Sequence, residues 1–450
     1  MQSRIGIVVG ALLLVAAAAS AQNTDLEALS GLKFNFDNPG ARSLGMGGAF
    51  IGLADDASAA EANPAGLTIL RKAEVSVELR DTTTSQSFPV GGTYPFVNEK
   101  DFPSRQTAVR FASAVLPFHN ASLALYYHRL LQFQNDVNVL DRYSTPTFYF
   151  GPNGPVSAGD CARQPGCQQH QVYPYAARAN VDLRTFGGAA AWAWRDVSLG
   201  VAIRYQLFSE DATTSRTDLD ASGKPTFVVT QTHGNRIFGK GSNSDLTYVA
   251  GLKWTPSPKF SAGAVFKKGA SFPAPVFAGP QTTANVAGSR MVAATSFHVP
   301  DSLGVGVSYR PMPNLIVNAD VVRVAYSSLT DQFVSVIELG TEDGTGVEAL
   351  KGYESHDGTE YHAGVEYFIL GRTPFAIRAG WWRDPAHSIH YGGALSVPHD
   401  VAAAILFPDR SAEDHYSVGV GVALPRFQID LAYDTSETLK QASVSLLTRF

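Results

Sequence analysis

Residues 197–207 read VSLGVAIRYQL, and this stretch decides the fold. Its odd-numbered positions, from Val197 to Leu207, are all apolar, and the positions between them are small or polar. Because successive side chains of a β-strand point to opposite faces, this pattern predicts a strand with one apolar face and one small or polar face. Residues 246–254, 303–309 and 416–424 follow the same pattern. The sequence therefore predicts a chain dominated by strands that share one design.

Fourteen strands are predicted, and the lengths of the links between them alternate. The links after the even-numbered strands are very short, whereas most of the others are long, the longest being residues 134–183. Short turns at one end and long loops at the other are the layout of an outer-membrane barrel. The strands are predicted near residues 73–80, 105–116, 121–133, 184–194, 196–209, 244–254, 258–267, 302–310, 314–325, 359–369, 374–384, 415–424, 427–434 and 441–450.

A soluble β-sandwich or propeller would also show alternating strands and many turns. Three features favour the barrel. The faces opposite the apolar ones are small and polar. The last strand alternates up to the terminal Phe450, which resembles the signal read by the barrel assembly machinery. A third is a set of aromatic residues near strand ends, as interfacial girdles require. They are Tyr126, Tyr127, Trp192, Trp194, Trp254, Tyr309, Trp381, Trp382 and Tyr433.

We therefore predict that residues 73–450 form a transmembrane antiparallel β-barrel of about fourteen strands, a multi-pass protein of the bacterial outer membrane. Its expected partners are outer-membrane lipid and the assembly machinery, and we expect a monomer. The composition agrees, because only 17% of residues are charged, against roughly 25% in soluble domains. A hydrophobic content of 45% excludes disorder, and a net charge of −5 gives no basic field for nucleic acid.

The N-terminus predicts export. Arg4 precedes an apolar run from Ile5 to Ala19, and Ala19-Ser20-Ala21 fits a signal-peptide cleavage site, so residues 1–21 are predicted to be removed. The alternative, a membrane anchor, would need roughly 20 apolar residues. No later stretch reaches 18 apolar residues, which excludes a membrane protein built of helices.

Cys161 and Cys167 are the only cysteines, and they lie six positions apart in a polar stretch. In an oxidising compartment such a pair is predicted to form a disulfide. A metal site with the nearby His170 is the alternative, but two thiols and one histidine at this spacing match no standard zinc pattern. We therefore expect no metal site.

Residues 22–72 do not follow the strand pattern. They contain GARSLGMGGAF at 40–50 and ADDASAAEANPAGL at 54–67. Asp55 or Asp56 can cap a short helix that runs to about Ala62, and Asn63-Pro64 ends it, because a residue before proline avoids helical angles. The glycines lack the Lys-Ser/Thr of a phosphate loop. This small-residue insert is predicted to fill the barrel as a plug.

The two runs, with Asn63-Pro64-Ala65-Gly66 as the plug motif, resemble the N-terminal hatch of the FadL/TodX family of outer-membrane transporters. Residues 299–311, 378–381 and 416–421 are also similar to that family, and Glu61-Ala62 departs from it where aromatic residues are common. The resemblance implies passive transport of long-chain fatty acids or other hydrophobic small molecules. It further implies capture by exterior loops and release past the plug through an opening in the wall into the bilayer.

Two questions about the solute stay open at this stage. Apolar loop segments could bind it or could fold over one another as a lid; they are residues 88–90, 94–97, 148–150, 272–277 and 401–407. By strand phase, four basic residues face the lumen and could pair with a fatty-acid carboxylate: Arg204, Lys253, Lys267 and Arg378. Alternatively these cations pair with lumen carboxylates such as Glu366 and Asp430.

Catalysis has little support in the sequence. No Gly-x-Ser-x-Gly or His-Glu-x-x-His motif occurs, and His356, His362, His387 and His390 fall mainly in loops. We predict no catalytic residue, no enzyme activity and no cofactor. Two functions other than solute-specific transport stay open: a general diffusion porin, and an interaction barrel that anchors secreted proteins.

Overall fold

The computed structural model describes residues 32, 36–139, 145–172, 174–216, 218–219, 225–226, 235–274, 276–280, 290–293, 296–331 and 352–450. The predicted signal peptide and the first residues of the predicted plug lie outside these ranges. Within them the strands are numbered β1 to β25 in chain order.

Fourteen strands form a closed antiparallel barrel, as predicted. Each pairs with the next along the chain, and β25 pairs with β1 through partners such as Val77 and Leu446, which closes the wall. These wall strands are β1 (Glu74–Thr93), β2 (Phe96–Phe118), β3 (Ala121–Asn138), β7 (Tyr175–Trp194), β8 (Val197–Arg216), β11 (Asn235–Ser257), β12 (Phe260–Lys267), β17 (Ser302–Met312), β18 (Leu315–Val324), β20 (Gly358–Ile369), β21 (Phe375–Asp384), β23 (Glu413–Ala423), β24 (Phe427–Thr435) and β25 (Leu439–Arg449).

Shorter elements belong to the long connections and the N-terminal region. The short strands are β4 (Thr147–Gly151), β5 (Gly154–Val156), β6 (Gln168–Gln171), β9 (Asp218–Leu219), β10 (Pro225–Thr226), β13 (Ser271–Pro273), β14 (Val276–Pro280), β15 (Arg290–Ala293), β16 (Ser296–His298), β19 (Tyr353–Glu354) and β22 (His390–Tyr391). The helices are α1 (Ala41–Leu44), α2 (Ala59–Ala62), α3 (Ala158–Cys161) and α4 (Pro398–Leu406), with 3₁₀ turns at Pro64–Ile69 and Tyr326–Thr330. No helix in the described part of the chain is long and apolar enough to span a membrane.

The wall strands expose their apolar faces and bury their polar ones. In β8, Leu199 and Ile203 are 55% and 50% exposed, whereas Ala202 and Arg204 are buried. In a soluble protein these exposed side chains would lose the stabilisation that comes from removing apolar surface from water, about 25 cal/mol per Å². A closed barrel with an apolar outer belt has lipid as its solvent, which makes this chain a transmembrane barrel.

The aromatic girdles are present with two corrections. Trp192, Trp194, Trp254 and Tyr309 are exposed beside the short turns, as predicted. Tyr126 and Trp382 were predicted to face outward but are buried. Each sits next to another aromatic residue, Tyr127 or Trp381, and two successive residues of a strand cannot share a face.

Residues 36–72, termed the N-terminal segment, lie inside the barrel. Inward-facing side chains of most wall strands hydrogen-bond to this segment, for example Ser445 to the Ala41 amide at 2.7 Å and Ser122 to the Leu67 carbonyl at 2.9 Å. Helix α2 begins after Ser58 and is shorter than the sequence predicts. The Asp56 carboxylate accepts hydrogen bonds from the amide and hydroxyl of Ser58, so it stabilises the turn before the helix.

The end of the barrel with the long loops is filled by apolar side chains, termed the cap cluster. It joins inward-facing wall residues to residues of the connecting loops. Its larger members are Phe88, Phe133, Phe148, Tyr175, Phe208, Phe272, Phe297, Tyr326, Val401, Ile405 and Phe407.

Candidate functional site

Two of the predicted lumen cations bind a carboxylate of the N-terminal segment. Glu61 is buried, and its Oε1 lies 3.4 Å from Arg204 Nη1 and 3.5 Å from Lys267 Nζ. The hydroxyl of Tyr126 donates to the other Glu61 oxygen at 2.8 Å. Glu61 is the position at which the sequence departs from the family pattern, and these contacts give the reason: the segment supplies the counter-charge for the wall.

Arg378 belongs to a second buried network. Its Nε donates to Glu366 at 2.7 Å, and its Nη2 lies 2.8 Å from Asp430. Arg42 of the N-terminal segment binds both oxygens of Glu366, at 2.9 and 2.6 Å, and contacts Asp55. Burial lowers the pKa of Arg42, but the charges of Asp55 and Glu366 outweigh burial and hold that pKa well above its usual value.

Lys253 also has partners within the protein. Its ammonium donates to the carbonyls of Gly52, at 2.6 Å, and Leu53. Opposite it, the carboxylate of Asp320 accepts from the amides of Phe50 and Ile51 at 2.6 and 2.7 Å. Three of the predicted cations, Arg204, Lys267 and Arg378, therefore pair with carboxylates, which is the alternative that the sequence left open, whereas Lys253 binds backbone carbonyls. That any of them binds a solute carboxylate stays a prediction.

The plug motif joins the N-terminal segment to the wall. Asn63 is fully buried, and its amide nitrogen donates to the carbonyls of Ile51 and Leu252, both at 3.1 Å. Its side-chain oxygen accepts from the Ala65 amide at 3.3 Å and so caps the 3₁₀ turn that Pro64 begins. Gly66 lies against the Ala54 backbone, where a Cβ would have no room.

A cavity that is partly open to solvent lies against the cap cluster, which contributes Phe88, Leu130, Leu131 and Phe133 to its lining. Apolar side chains form part of its lining, and polar and cationic side chains form the rest. The lining residues include Arg80, Phe88, Ala108, Arg110, Leu130, Leu131, Phe133, Arg410 and Leu439. Strands β1, β2, β3 and β25 supply most of them.

The wall is interrupted beside this cavity. Strands β2 and β3 pair only from Phe118 and Ala121 to Phe111 and His128. Beyond that level β2 continues to pair with β1, and β3 continues to pair with β7 as far as Asn138, but no ladder joins β2 to β3. We term this opening the wall gap. It begins beyond the Phe111–His128 pair, next to Tyr127.

A β-bulge marks the start of the wall gap on each side. The register of β1 with β2 skips Arg110, and the register of β3 with β7 skips Leu130. A bulge adds an unpaired residue and re-aims its side chain. The Arg110 guanidinium spans the gap and donates to the Leu130 carbonyl at 3.0 Å, and farther out Gln106 contacts Gln134 at 3.5 Å.

Arg110 differs from the other cations of the cavity. Arg80 pairs with Glu78 and Asp37, and Arg410 pairs with Glu99. Among the described residues, no carboxylate lies within 4.0 Å of the Arg110 guanidinium, and its Nε has no hydrogen-bond partner. Sequence reasoning missed Arg110 because only the bulge turns it toward the cavity.

The apolar loop segments fold over one another. Of the two alternatives, solute binding or a lid, this packing favours the lid. Phe88, Phe148, Phe272 and Val401 are buried in the cap cluster, and Tyr94 and Val97 pack against it. Residue 275 of the segment 272–277 lies outside the described residues. Phe96, at the tip of the β1–β2 hairpin, is the exception, with 84% of its surface exposed.

The remaining predicted site residues do not line the cavity. Cys161 and Cys167 are joined by a disulfide across a loop on the long-loop side, with their Cα atoms 5.3 Å apart. Ser157 and Arg163 bond the Asp160 carboxylate and lower its pKa. Phe450 is 72% exposed and its amide donates to the Ala73 carbonyl at 3.0 Å. Its role in barrel assembly stays a prediction.

No protein-family model matches this sequence, and no curated protein sequence does either. Solved structures do match. A Pseudomonas aeruginosa FadL homologue is 14% identical, with a TM-score of 0.59, over 93% of this chain and 99% of that one. The Ralstonia pickettii toluene transporter TbuX is 15% identical, with a TM-score of 0.58, over 92% and 99%. The Pseudomonas putida toluene transporter TodX is 13% identical, with a TM-score of 0.54, over 92% and 99%.

These matches define the class by its fold: the chain is a closed β-barrel of fourteen strands. Within that class it has the fold of the FadL/TodX transporters over almost its whole length.

Proposed function

We propose that this protein carries hydrophobic small molecules passively across the outer leaflet of the outer membrane and releases them sideways into the bilayer. The observation that supports the proposal most strongly is the wall gap, because it connects a partly apolar cavity to the outside of the barrel between β2 and β3. Long-chain fatty acids are the proposed solutes. The matching structures of TbuX and TodX, both toluene transporters by name, support the wider class of hydrophobic compounds.

The physical basis is a lowered barrier without an energy source. An apolar solute crosses the hydrated lipopolysaccharide headgroups poorly, and the transfer of apolar surface from water into a greasy cavity is favourable by about 25 cal/mol per Å². From the cavity to the bilayer the solute moves between two apolar environments. The cap cluster must open for entry, and the exposed Phe96 is a suitable first contact.

The N-terminal segment supports sideways release over passage along the barrel axis. It hydrogen-bonds to strands around the lumen, and it neutralises Arg204, Lys267 and Arg378 through its own charges or through shared carboxylates. A route past it would expose these buried ion pairs, and removing one partner of such a pair costs about 3–5 kcal/mol. The predicted role of residues 22–72 as a plug is part of this proposal.

Arg110 supplies a reason for a carboxylate-bearing solute. It lines the cavity and spans the wall gap, and it lacks a carboxylate partner among the described residues. A charge-assisted hydrogen bond to a carboxylate is about twice as strong as a neutral one. We infer that Arg110 orients the headgroup of a fatty acid while the acyl chain contacts Leu130, Leu131 and Phe133.

Uptake and conductance together test the proposal. Cells that produce the protein should take up labelled oleate at least about tenfold faster than cells that lack it, and the purified barrel should show little conductance in a planar bilayer. A large, steady conductance would instead indicate a general diffusion porin. Stoichiometric co-purification of a secreted protein, without uptake, would indicate an anchoring barrel.

Replacement of Arg110 should separate two classes of solute. We expect Arg110→Met to lower oleate uptake about tenfold, since loss of a charged hydrogen bond costs about 1.5–3 kcal/mol. Uptake of toluene, which has no carboxylate, should change less than twofold. Arg105→Met is the matched control, because Arg105 is exposed on the outer face of the same strand and pairs with Asp81. Equal losses for oleate and toluene would contradict the role of Arg110.

A further inference from the structure

Three metal-binding side chains meet on the long-loop side of the barrel, outside the cavity. Glu354, His356 and His390 each offer one ligand atom, and these atoms lie within 4.8 Å of one another. The segment with Glu354 and His356 precedes β20, and His390 lies between β21 and β23. Strands β19 and β22 place them together, because Glu354 is the register partner of His390.

The distances suit a small divalent ion. His390 Nε2 and Glu354 Oε1 are 3.5 Å apart. Tetrahedral zinc, with ligand distances of about 2.0–2.2 Å, separates two of its donor atoms by roughly 3.3 Å. The rings of His356 and His390 meet at 62°, with their centroids 5.0 Å apart. Because His356 is exposed, its ring has room to turn toward the other two ligand atoms.

The surroundings of His390 resemble the outer shell of a metal ligand. His390 is buried, and its Nδ1 lies 3.2 Å from the Ser388 carbonyl. A histidine that ligates a metal usually donates its other ring N–H to a carbonyl or carboxylate, which fixes the tautomer and leaves the second nitrogen free to bind. Here the free nitrogen is Nε2, the one that faces Glu354.

We propose that Glu354, His356 and His390 bind one zinc ion. Two neutral imidazoles and one carboxylate form a common zinc donor set, and the exposure of Glu354 and His356 leaves the fourth position to water. The sequence alone predicts no metal site here, because Glu354-x-His356 and His390 are far apart along the chain and form no zinc pattern.

The zinc ion joins two exterior segments over the cap cluster. Tyr353, next to Glu354, packs on Phe407 with ring centroids 5.0 Å apart, and the Tyr391 hydroxyl donates to Asp400 of α4 at 2.8 Å. Bound zinc therefore holds α4, which supplies Val401 and Ile405 to the cap cluster, against the neighbouring loop.

Zinc binding to the full-length barrel in detergent tests the site directly. After treatment with a chelator and dialysis against zinc, elemental analysis should find one zinc per chain, and titration calorimetry should give a single saturable site. His356→Gln and His390→Gln should each weaken binding by at least about tenfold, since even outer-shell changes cost 10–100-fold. His119→Gln, which removes an exposed histidine from a short turn, is the matched control and should bind normally.

Two further measurements distinguish a variant that fails to fold from one that folds but no longer coordinates the metal. Heat-dependent mobility on a gel reports whether each variant keeps its barrel, and substitution with Co²⁺ should give the visible absorption of a tetrahedral site in the wild type but not in His390→Gln. A wild-type protein that retains no zinc after dialysis overturns the proposal. Zinc binding that is unchanged in both folded histidine variants overturns it as well.

Discussion

Cross-linking the wall gap should reduce oleate uptake at least about tenfold. Gln106 and Gln134 face each other across the gap, with a side-chain contact of 3.5 Å. Cysteines at both positions, joined by a short bifunctional thiol reagent that a reductant can cleave, would tie β2 to β3 where no ladder connects them. Because the proposed exit is this opening, the tie should block release, and the reductant should restore it. The measurement is labelled-oleate uptake before and after reduction.

The cross-link needs a background without the natural disulfide, which the reductant would also open. Cys161→Ser with Cys167→Ser provides it. The matched control pair is Leu431→Cys with Val444→Cys, two direct partners on the lipid-facing side of an intact ladder, where a tie adds little. Full uptake by protein cross-linked at Gln106→Cys and Gln134→Cys would rule out exit through the wall gap.

Added methyl groups on two wall glycines should displace the N-terminal segment and open the barrel. A Cβ on Gly200 would overlap the backbone of Pro64 and Ala65, and a Cβ on Gly251 would overlap the side chain of Asn63. Overpacking costs about 1–3 kcal/mol per site, and here the neighbouring atoms are largely backbone that cannot rotate away. We expect the Gly200→Ala, Gly251→Ala protein to assemble but to show a severalfold increase in conductance in planar bilayers.

Gly188→Ala is the control for this change. Gly188 lies on the neighbouring strand, and its added Cβ would meet only a Leu125 methyl group, at 3.7 Å. Its conductance should therefore stay at the wild-type value. If the double variant stays closed while it keeps its barrel, the N-terminal segment is not what seals the lumen.

Much of the barrel could be predicted because its rules act on neighbouring residues. Lipid outside and a packed lumen inside impose a period of two on every wall strand, so strand positions such as residues 196–209 are visible directly. The inward facing of Arg204, Lys253, Lys267 and Arg378 followed from the same period, and all four are buried. The facing of the adjacent aromatic pairs could not be predicted in this way, because alternation alone does not say which of Tyr126 and Tyr127 faces lipid.

The candidate site was mostly invisible at that level. Arg110 and Leu130 reach the wall gap through bulges, and a bulge is a mismatch between two strands, so neither strand shows it alone. Glu61 was visible only as a departure from a pattern, and its partners Arg204 and Lys267 come from strands far along the chain.

The sequence by itself determined the fold class, the number of strands and the face on which most wall residues lie, because all three depend on local periodicity and turn chemistry. Tertiary structure alone decided what those faces meet: which lumen cations the N-terminal segment neutralises, where the ladder between β2 and β3 stops, and which histidines join Glu354. Those outcomes depend on contacts between residues far apart in the chain, which closure of the barrel brings together.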